Sequence, residues 1–135
     1  MTNNPNDMYK FKAYIKKIKT IGPVNAIDWE AELVRVNSLL SDNPWLSFDE
    51  VILLPFTTLT LTNEQGVYKD DLIVNKNGHL FHVVWLYGNW RVILISTTTS
   101  REDISLFSFK VQNGSHIVGN ANTPEGKQIM KTGKW

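Results

Sequence analysis

Residues 67–97 constrain the fold more than any other stretch, because their pattern predicts three strands joined by two tight turns. The segments VYKDDLIVN and HLFHVVWLY flank Asn77-Gly78, and WRVILIST follows Gly88-Asn89. Asn-Gly is typical of a type I′ turn, in which both central residues need φ > 0, and a Gly-first pair suits type II′. We therefore predict two hairpins with two-residue loops, and the loop lengths in turn predict the strand register.

That register assigns every side chain of the three strands to a face. Val74 lies opposite Phe81, and Trp85 lies opposite Val92. One predicted face is apolar and aromatic, and it collects Tyr68, Leu72, Val74, Phe81, Val83, Trp85, Tyr87, Trp90, Val92 and Leu94. The other collects Ile73, Leu80, His82, Val84, Leu86, Ile93 and Ile95, with Asp71 and Arg91 among them. Because neither face is polar, both must be covered by other parts of the chain or by a partner.

Composition sets the broad class. A chain of 135 residues with 42% hydrophobic content can bury its own core, so we expect one domain over residues 1–135, with residues 1–6 and the last dozen as flexible ends. The lack of cysteine excludes disulfides, thiolate zinc sites and cysteine nucleophiles. The polar, lysine-rich start shows no signal peptide, and no apolar run reaches membrane-span length, so a cytoplasmic protein is expected.

The net charge of +1 hides an uneven distribution. Five lysines against one aspartate give +4 over residues 1–25, and four lysines against one glutamate give +3 over residues 110–135. Between them, five basic against eleven acidic residues give −6. An acidic centre argues against a nucleic-acid groove on the sheet, which would need basic side chains there.

The N-terminal part predicts two or three helices. Over residues 7–21, helical spacing aligns four apolar residues: Phe11, Tyr14, Ile15 and Ile18. The alternative is a strand, because apolar residues also alternate with the lysines, and Gly22-Pro23 ends the element in either case. Over residues 28–41, Asp28 is the predicted N-cap of a second helix with a buried stripe of Trp29, Leu33, Val36, Leu39 and Leu40. Ser47 and Glu50 match a capping box before a short third helix, with a strand through residues 51–54 as the alternative.

The remainder of the chain predicts strands. Residues 56–62 alternate leucine with threonine, residues 106–111 alternate phenylalanine with polar residues, and Asn113-Gly114 predicts a hairpin into residues 115–121. A last, weak helix is predicted with Thr123 as its cap and Pro124 in its first position, and a tail is the alternative because Gly126 and Gly133 favour fraying. The expected class is α+β, with two to three N-terminal helices packed on a curved antiparallel meander of about six strands.

A histidine and an aspartate form the candidate site. In the predicted register His82 and Asp71 lie diagonally on neighbouring strands of one face, with Arg91 nearer the hairpin end. A histidine oriented by a carboxylate can act as a general base, although a buried histidine bonded to an acid is the commoner arrangement. His79 and His82 point to opposite faces of a strand, so they cannot bind one metal ion, and the sequence carries no nucleotide-binding or hydrolase motif. No cofactor is expected.

We therefore predict a non-catalytic protein-binding module. Acidic residues and one tryptophan are its candidate contacts: Asp49, Glu50, Asp70, Asp71, Trp90, Glu102 and Asp103. In size, acidity and lack of motifs the profile resembles bacterial toxin-immunity proteins, which implies a basic toxin domain as the partner. A first alternative is a ligand-binding or catalytic cone similar to nuclear-transport-factor-2-like folds, with His82 and Asp71 facing its cavity. A second is nucleic-acid binding through the basic N-terminal helix.

Overall fold

The computed structural model describes residues 10–36, 45–95 and 114–135, together with the backbone of residues 103–105. Contacts divide the chain into two compact units, residues 1–56 and 57–135, and each is described by itself. The prediction of a single domain stays a prediction. None of the helices in the described ranges is long and apolar enough to cross a membrane.

The first unit is an antiparallel sheet of five strands: β1 (Phe11–Ile15), β2 (Thr20–Asp28), β3 (Leu33–Val36), β4 (Trp45–Ser47) and the beginning of β5 (Val51–Thr60). The strands lie in the order β4-β3-β2-β1-β5, and a 3-10 turn at Phe48–Glu50 precedes β5. A buried cluster on this sheet consists of Ala13, Ile15, Val24, Val34, Val36 and Val51. These small and β-branched residues pack well on a pleated surface, which favours strands over helices here.

The second unit consists of the end of β5, β6 (Gly66–Tyr68), β7 (Asp71–Val74), β8 (Leu80–Leu86), β9 (Asn89–Ile95), β10 (Asp103–Ser105), β11 (His116–Asn120) and the helix α1 (Pro124–Thr132). Five of these strands form an antiparallel sheet in the order β10-β9-β8-β7-β11. Strand β6 lies beside β5.

Both faces of the five-stranded sheet are covered within this unit. On one face, Ile73, Phe81 and Val83 of the sheet pack with Leu61 and Val67. On the other face, the buried residues Leu72, Val74 and Leu80 pack against Ile129 and Met130 of α1. Helix α1 therefore covers one apolar face of the sheet, and Leu61 and Val67 contribute to the cover of the other.

Of the predicted helices, only the C-terminal one, α1, is present in the described residues. The Thr123 hydroxyl accepts a hydrogen bond from the Gly126 N–H at 2.9 Å, Pro124 occupies the first turn, and Gly133 ends the helix with φ +70°. A Cβ atom on Gly126 would lie 1.7 Å from the Asn120 carbonyl oxygen, so the helix begins in direct backbone contact with the end of β11.

The predicted α+β class is wrong, because the described residues are mostly strands in antiparallel sheets. Over residues 10–21, the predicted helix is replaced by β1, a turn over residues 16–19 and the start of β2, and residues 7–9 lie outside the described residues. The strand that was the alternative prediction is the one observed. Ala13 and Ile15, two residues apart, are buried in one cluster, while Ile18 is 37% exposed in the turn. The basic helix on which nucleic-acid binding was predicted does not form.

The predicted helix over residues 28–41 is also wrong where it is described. The Asp28 carboxylate does accept a hydrogen bond from the Ala31 N–H at 3.0 Å, as an N-cap would. The chain then turns through Glu32, with φ +56°, into β3 instead of continuing as a helix. Trp29, predicted to be buried, is 62% exposed. Residues 37–41 lie outside the described residues.

The capping box of the predicted third helix forms, but it caps a 3-10 turn. The backbone N–H and hydroxyl of Ser47 both donate to Glu50 Oε1, at 3.0 and 3.1 Å. Strand β5 follows at once, which was the alternative prediction. Pro55 lies inside β5 without breaking it. The Phe56 N–H donates to the Lys10 carbonyl, so the nitrogen of Pro55 points away from β1 and no β1–β5 hydrogen bond is lost.

The register of both hairpins differs from the prediction. In β7–β8, Val74 lies opposite Leu80 and Ile73 opposite Phe81, one residue away from the predicted pairing. In β8–β9, Trp85 lies opposite Trp90, two residues away. A one-residue slip exchanges the two faces of a strand and a two-residue slip does not. The predicted faces are therefore wrong for β7 and correct for β8 and β9.

Candidate functional site

A polar network in the second unit surrounds the turn between β6 and β7. Asp70, with φ +67°, places its carboxylate between β8 and the segment after β11. Asp70 Oδ1 lies 3.0 Å from His82 Nε2, and Asp70 Oδ2 accepts a hydrogen bond from Asn122 Nδ2 at 2.9 Å. The backbone of Asp70 is held as well, because its N–H donates to Val83 and its carbonyl accepts from Ala121.

Asp71 and Asn120 form the deeper part of the network. Asp71, only 8% exposed, accepts a hydrogen bond from the Tyr68 N–H at Oδ2 and one from Asn120 Nδ2 at Oδ1. Asn120 Nδ2 also donates to the Lys69 carbonyl, and its Oδ1 accepts from Asn122. The two adjacent aspartates therefore connect the β6–β7 turn to different neighbours.

The electrostatics of Asp70 follow from these contacts. Burial alone would raise the pKa of the Asp70 carboxyl. The hydrogen bonds from His82 and Asn122, together with the positive charges of His82 and Lys69, outweigh burial and hold that pKa below its ordinary value. Asp70 is therefore a carboxylate at neutral pH, which is the form that these donors require.

The network fits a structural role better than a catalytic one. Each of the four carboxylate oxygens of Asp70 and Asp71 already has a partner within the chain. Within the described ranges, no buried side-chain nitrogen or oxygen lacks a hydrogen bond, and no group of three or more residues could hold a metal ion. The arrangement fixes a turn whose backbone conformation is unfavourable for a residue other than glycine.

The structure separates the residues of the predicted site. The carboxylate beside His82 belongs to Asp70 and not to Asp71, because the register of β7 differs by one residue. Arg91 lies at the β8–β9 hairpin, where its Cζ is 5.8 Å from the centre of the Tyr87 ring. The first alternative, a cone similar to nuclear-transport-factor-2-like folds, required N-terminal helices packed on the sheet, and the described residues do not form them.

The acidic contact candidates are also divided. Asp49 and Glu50 are exposed in the 3-10 turn of the first unit, where the Asp49 carbonyl accepts a hydrogen bond from Lys16 Nζ. Glu102 lies outside the described residues, and only the backbone of Asp103 is described. Sequence reasoning missed Asn120 and Asn122, although two asparagines at the end of a predicted strand and directly before a predicted helix cap were a signal for turn-forming side chains.

Aromatic side chains cluster at the β8–β9 hairpin. Trp85 and Trp90 lie opposite each other with ring centres 5.1 Å apart in an edge-to-face arrangement. Tyr87 and Gly88 form the two-residue loop with φ +54° and +78°, as in a type I′ turn. Trp85 is 53% exposed and Tyr87 is 84% exposed. Arg91 lies beside Tyr87, on the opposite face of β9 from Trp90, and we call Trp85, Tyr87, Trp90 and Arg91 together the aromatic hairpin tip.

Comparison with known proteins identifies a fold but no family. No protein-family model and no curated protein matches the chain. Among solved structures, it is similar to the crystal structure of protein EF1440 from Enterococcus faecalis, with a TM-score of 0.60 and 13% sequence identity. The similarity covers 90% of this chain and 96% of that chain. At this identity the likeness concerns the fold alone.

Proposed function

We propose that this protein is a non-catalytic protein-binding module whose contact surface is the aromatic hairpin tip. The observation that carries the proposal is the exposure of Trp85 and Tyr87 on an ordered hairpin. Large aromatic side chains gain free energy when they leave water, and tryptophan, tyrosine and arginine are enriched among the residues that dominate protein interfaces. Trp90 is the one predicted contact residue in this tip.

The geometry of the tip favours binding because little order is lost when a partner arrives. Trp85 is held against Trp90 by an edge-to-face contact, and the Tyr87 ring lies beside the Arg91 guanidinium. The two strands that carry them are paired in register up to the loop. A preorganised surface of this kind avoids the free-energy cost of fixing side chains on association.

Tyr87 supports the same proposal from the backbone. A tyrosine with φ +54° is about 1 kcal/mol less stable than a glycine or asparagine in that conformation. Its ring is almost fully exposed, so no burial in the core offsets this strain. Residues in such conformations cluster at functional sites, which agrees with a recognition role for Tyr87.

In its finer form, the proposal is a cytoplasmic bacterial immunity or antitoxin-type protein that neutralises a basic toxin domain. In the first unit, the exposed carboxylate of Asp49 remains a predicted contact for such a partner, whereas Glu50 Oε1 already accepts hydrogen bonds from Ser47. Asp70 and Asp71 are no longer contact candidates, because their oxygens are committed to the internal network.

The test is site-specific photo-crosslinking in cells that produce the protein. A benzoylphenylalanine replaces Tyr87 in one variant and Trp135 in a matched control, since Trp135 is also an exposed aromatic residue of the second unit. We expect a discrete protein adduct from position 87 that is absent from position 135. The adduct should weaken strongly when Trp85→Ala is added.

Two results would contradict the proposal. One is the same adduct pattern from positions 87 and 135, which would indicate nonspecific contact. The other is no adduct from position 87 in cells where the protein is abundant and folded by circular dichroism. If the adduct forms, its identification by mass spectrometry tests the finer form, because the immunity-type role requires a basic domain in the captured protein.

A further inference from the structure

A groove in the first unit has the size and lining of a small-molecule site. It is an open groove of about 390 Å³, lined by Lys10 and Phe11 at and just before the start of β1, by residues 24–27 of β2 and by Trp29. Sites for small ligands typically have volumes of about 300–1,000 Å³ and apolar walls with few polar groups. This groove has that composition.

The aromatic wall of the groove is fixed in position by its neighbours. Trp29 contacts Phe11 edge-to-face with ring centres 6.1 Å apart, and it contacts Phe48 in the same manner at 5.7 Å. The turn that carries Trp29 is closed by the hydrogen bond from the Ala31 N–H to Asp28. Trp29 nevertheless remains 62% exposed. An indole held in place with a free face is a surface on which a flat ring can pack.

A β-bulge places a polar residue in the same groove. Val24 lies opposite Val36 and Ala26 lies opposite Arg35, so Asn25 is the extra residue on β2. Asn25 is exposed and lines the groove. Bulges redirect side chains and are frequent beside binding sites. Here the extra residue adds to the lining of the groove an amide, which can both donate and accept hydrogen bonds.

The charge of the lining residues indicates the charge of the ligand that the groove would bind. Among the described residues that line the groove, Lys10 carries the only formal charge. Its side chain is exposed, and the groove has no described carboxylate to pair with it. A cation in the same groove as an aromatic wall suits a ligand that joins an anionic group to a flat apolar body.

We propose that this groove binds small aromatic carboxylates, with the ring against Trp29, the carboxylate at Lys10 and a hydrogen bond from Asn25. This site is separate from the aromatic hairpin tip and does not depend on the proposed protein-binding function. The same chemistry occurs in a free arylacetate and in the C-terminal phenylalanine of a peptide, so the experiment includes both sources.

The experiment is a titration of the ¹⁵N-labelled full chain with phenylacetate, followed by NMR. The indole N–H signal of Trp29, assigned with a Trp29→Phe variant, should shift and saturate with a dissociation constant on the order of 1 mM. N-acetylphenylalanine is the arm for a peptide C-terminus, and the tighter of the two identifies the source. Neutral phenylacetamide should bind at least about fivefold more weakly, since it lacks the charge that pairs with Lys10.

The matched variants are Lys10→Gln and Lys17→Gln. Both remove one exposed lysine charge, but residue 17 lies in the β1–β2 turn and does not line the groove. We expect Lys10→Gln to weaken phenylacetate binding about fivefold and Lys17→Gln to leave it unchanged. The proposal is overturned if the Trp29 signal shows no saturable shift with either carboxylate, if phenylacetamide binds equally well, or if the two variants weaken binding equally.

Discussion

The two hairpins that share β8 differ in how their loops set the position of each side chain. The β7–β8 loop has three residues, 76–78, because the Asn75 N–H donates to the His79 carbonyl and Gly78, with φ +80°, completes the turn. The β8–β9 loop has two residues, Tyr87 and Gly88. Both sequences suggest a two-residue turn, and only one of them forms it.

The first loop is longer because of the Asn75 side chain. Asn75 Oδ1 accepts hydrogen bonds from the backbone of Asn77 at 3.0 Å and of His79 at 2.9 Å. These bonds stabilise the three-residue loop and draw Asn75 into the turn. One extra loop residue moves Leu72 and Val74 to the face under α1 and Ile73 to the opposite face. One extra loop residue therefore exchanges the faces of β7, whereas the β8–β9 loop keeps its two residues and only moves by one position, which shifts the pairing by two residues and leaves the faces as predicted.

The surroundings of the two hairpins differ as well. Strand β7 is buried along its whole length and bonded to the polar network, whereas the β8–β9 loop extends into solvent. The buried hairpin positions the sheet, and the exposed one presents the side chains that we propose for recognition. Substitutions should therefore change stability at β7 and mainly binding at the aromatic hairpin tip.

The largest expected contrast is between Ile73→Ala and Trp85→Ala, two residues on the same face. Ile73 is fully buried beside Phe81, so its truncation leaves a cavity and should lower the free energy of unfolding by about 2–4 kcal/mol. Trp85→Ala loses one edge-to-face contact, worth about 1 kcal/mol or less at this exposure. Urea denaturation of both variants gives the comparison. Equal losses would mean that the two hairpins do not differ in burial as the structure shows.

The next effect is that of Asp71→Ala, which tests the polar network at the start of β7. Removal of the carboxylate leaves the Tyr68 N–H and one Asn120 amide hydrogen without this acceptor, at a cost of about 1–3 kcal/mol in unfolding free energy. The exposed turn residue Glu64, replaced by Gln, is the control for loss of one negative charge. If the two variants have the same denaturation midpoint, Asp71 does not anchor the β6–β7 turn.

The smallest effect has the opposite sign. Tyr87→Asn introduces the Asn-Gly pair that type I′ turns favour, and it should raise the free energy of unfolding by about 0.5–1 kcal/mol. The same variant should bind the partner captured at position 87 more weakly than the wild type does. Thermal denaturation measures the first change. A loss of stability would show that the Tyr87 ring contributes to the fold, contrary to its role as a contact residue.

Local sequence signals predicted the capping hydrogen bonds correctly but not the elements that follow them, and the predicted type II′ turn at Gly88-Asn89 is a type I′ turn at Tyr87-Gly88. Asp28 makes a cap-like hydrogen bond and Ser47 forms its capping box with Glu50, yet strands follow both. A cap stabilises only the first turn of a helix, and pairing with neighbouring strands decides whether that turn continues. The predicted cap at Thr123 was followed by a helix because residues 124–132 have a surface to pack on.

The candidate site was predicted in part for a related reason. Period-two alternation found β8 and β9 and placed His82, Trp85 and Trp90 on their correct faces. The partner of His82 was wrong because it depended on a loop length that only the Asn75 side chain determines. The groove at Trp29 could not be predicted, since its walls exist only when the N-terminal residues form strands instead of helices.

The contact between Gly126 and Asn120 has a consequence for tracing the ancestry of this chain. A glycine inside a helix is usually a weak position, about 1 kcal/mol less favourable than alanine. Here the Asn120 carbonyl leaves no room for any side chain. We therefore expect position 126 to stay glycine in homologues, while the exposed lysines of the same helix vary. Where sequence identity is as low as the 13% shared with the protein from Enterococcus faecalis, a glycine at this position next to a threonine cap would be a more specific sign of common descent than overall similarity.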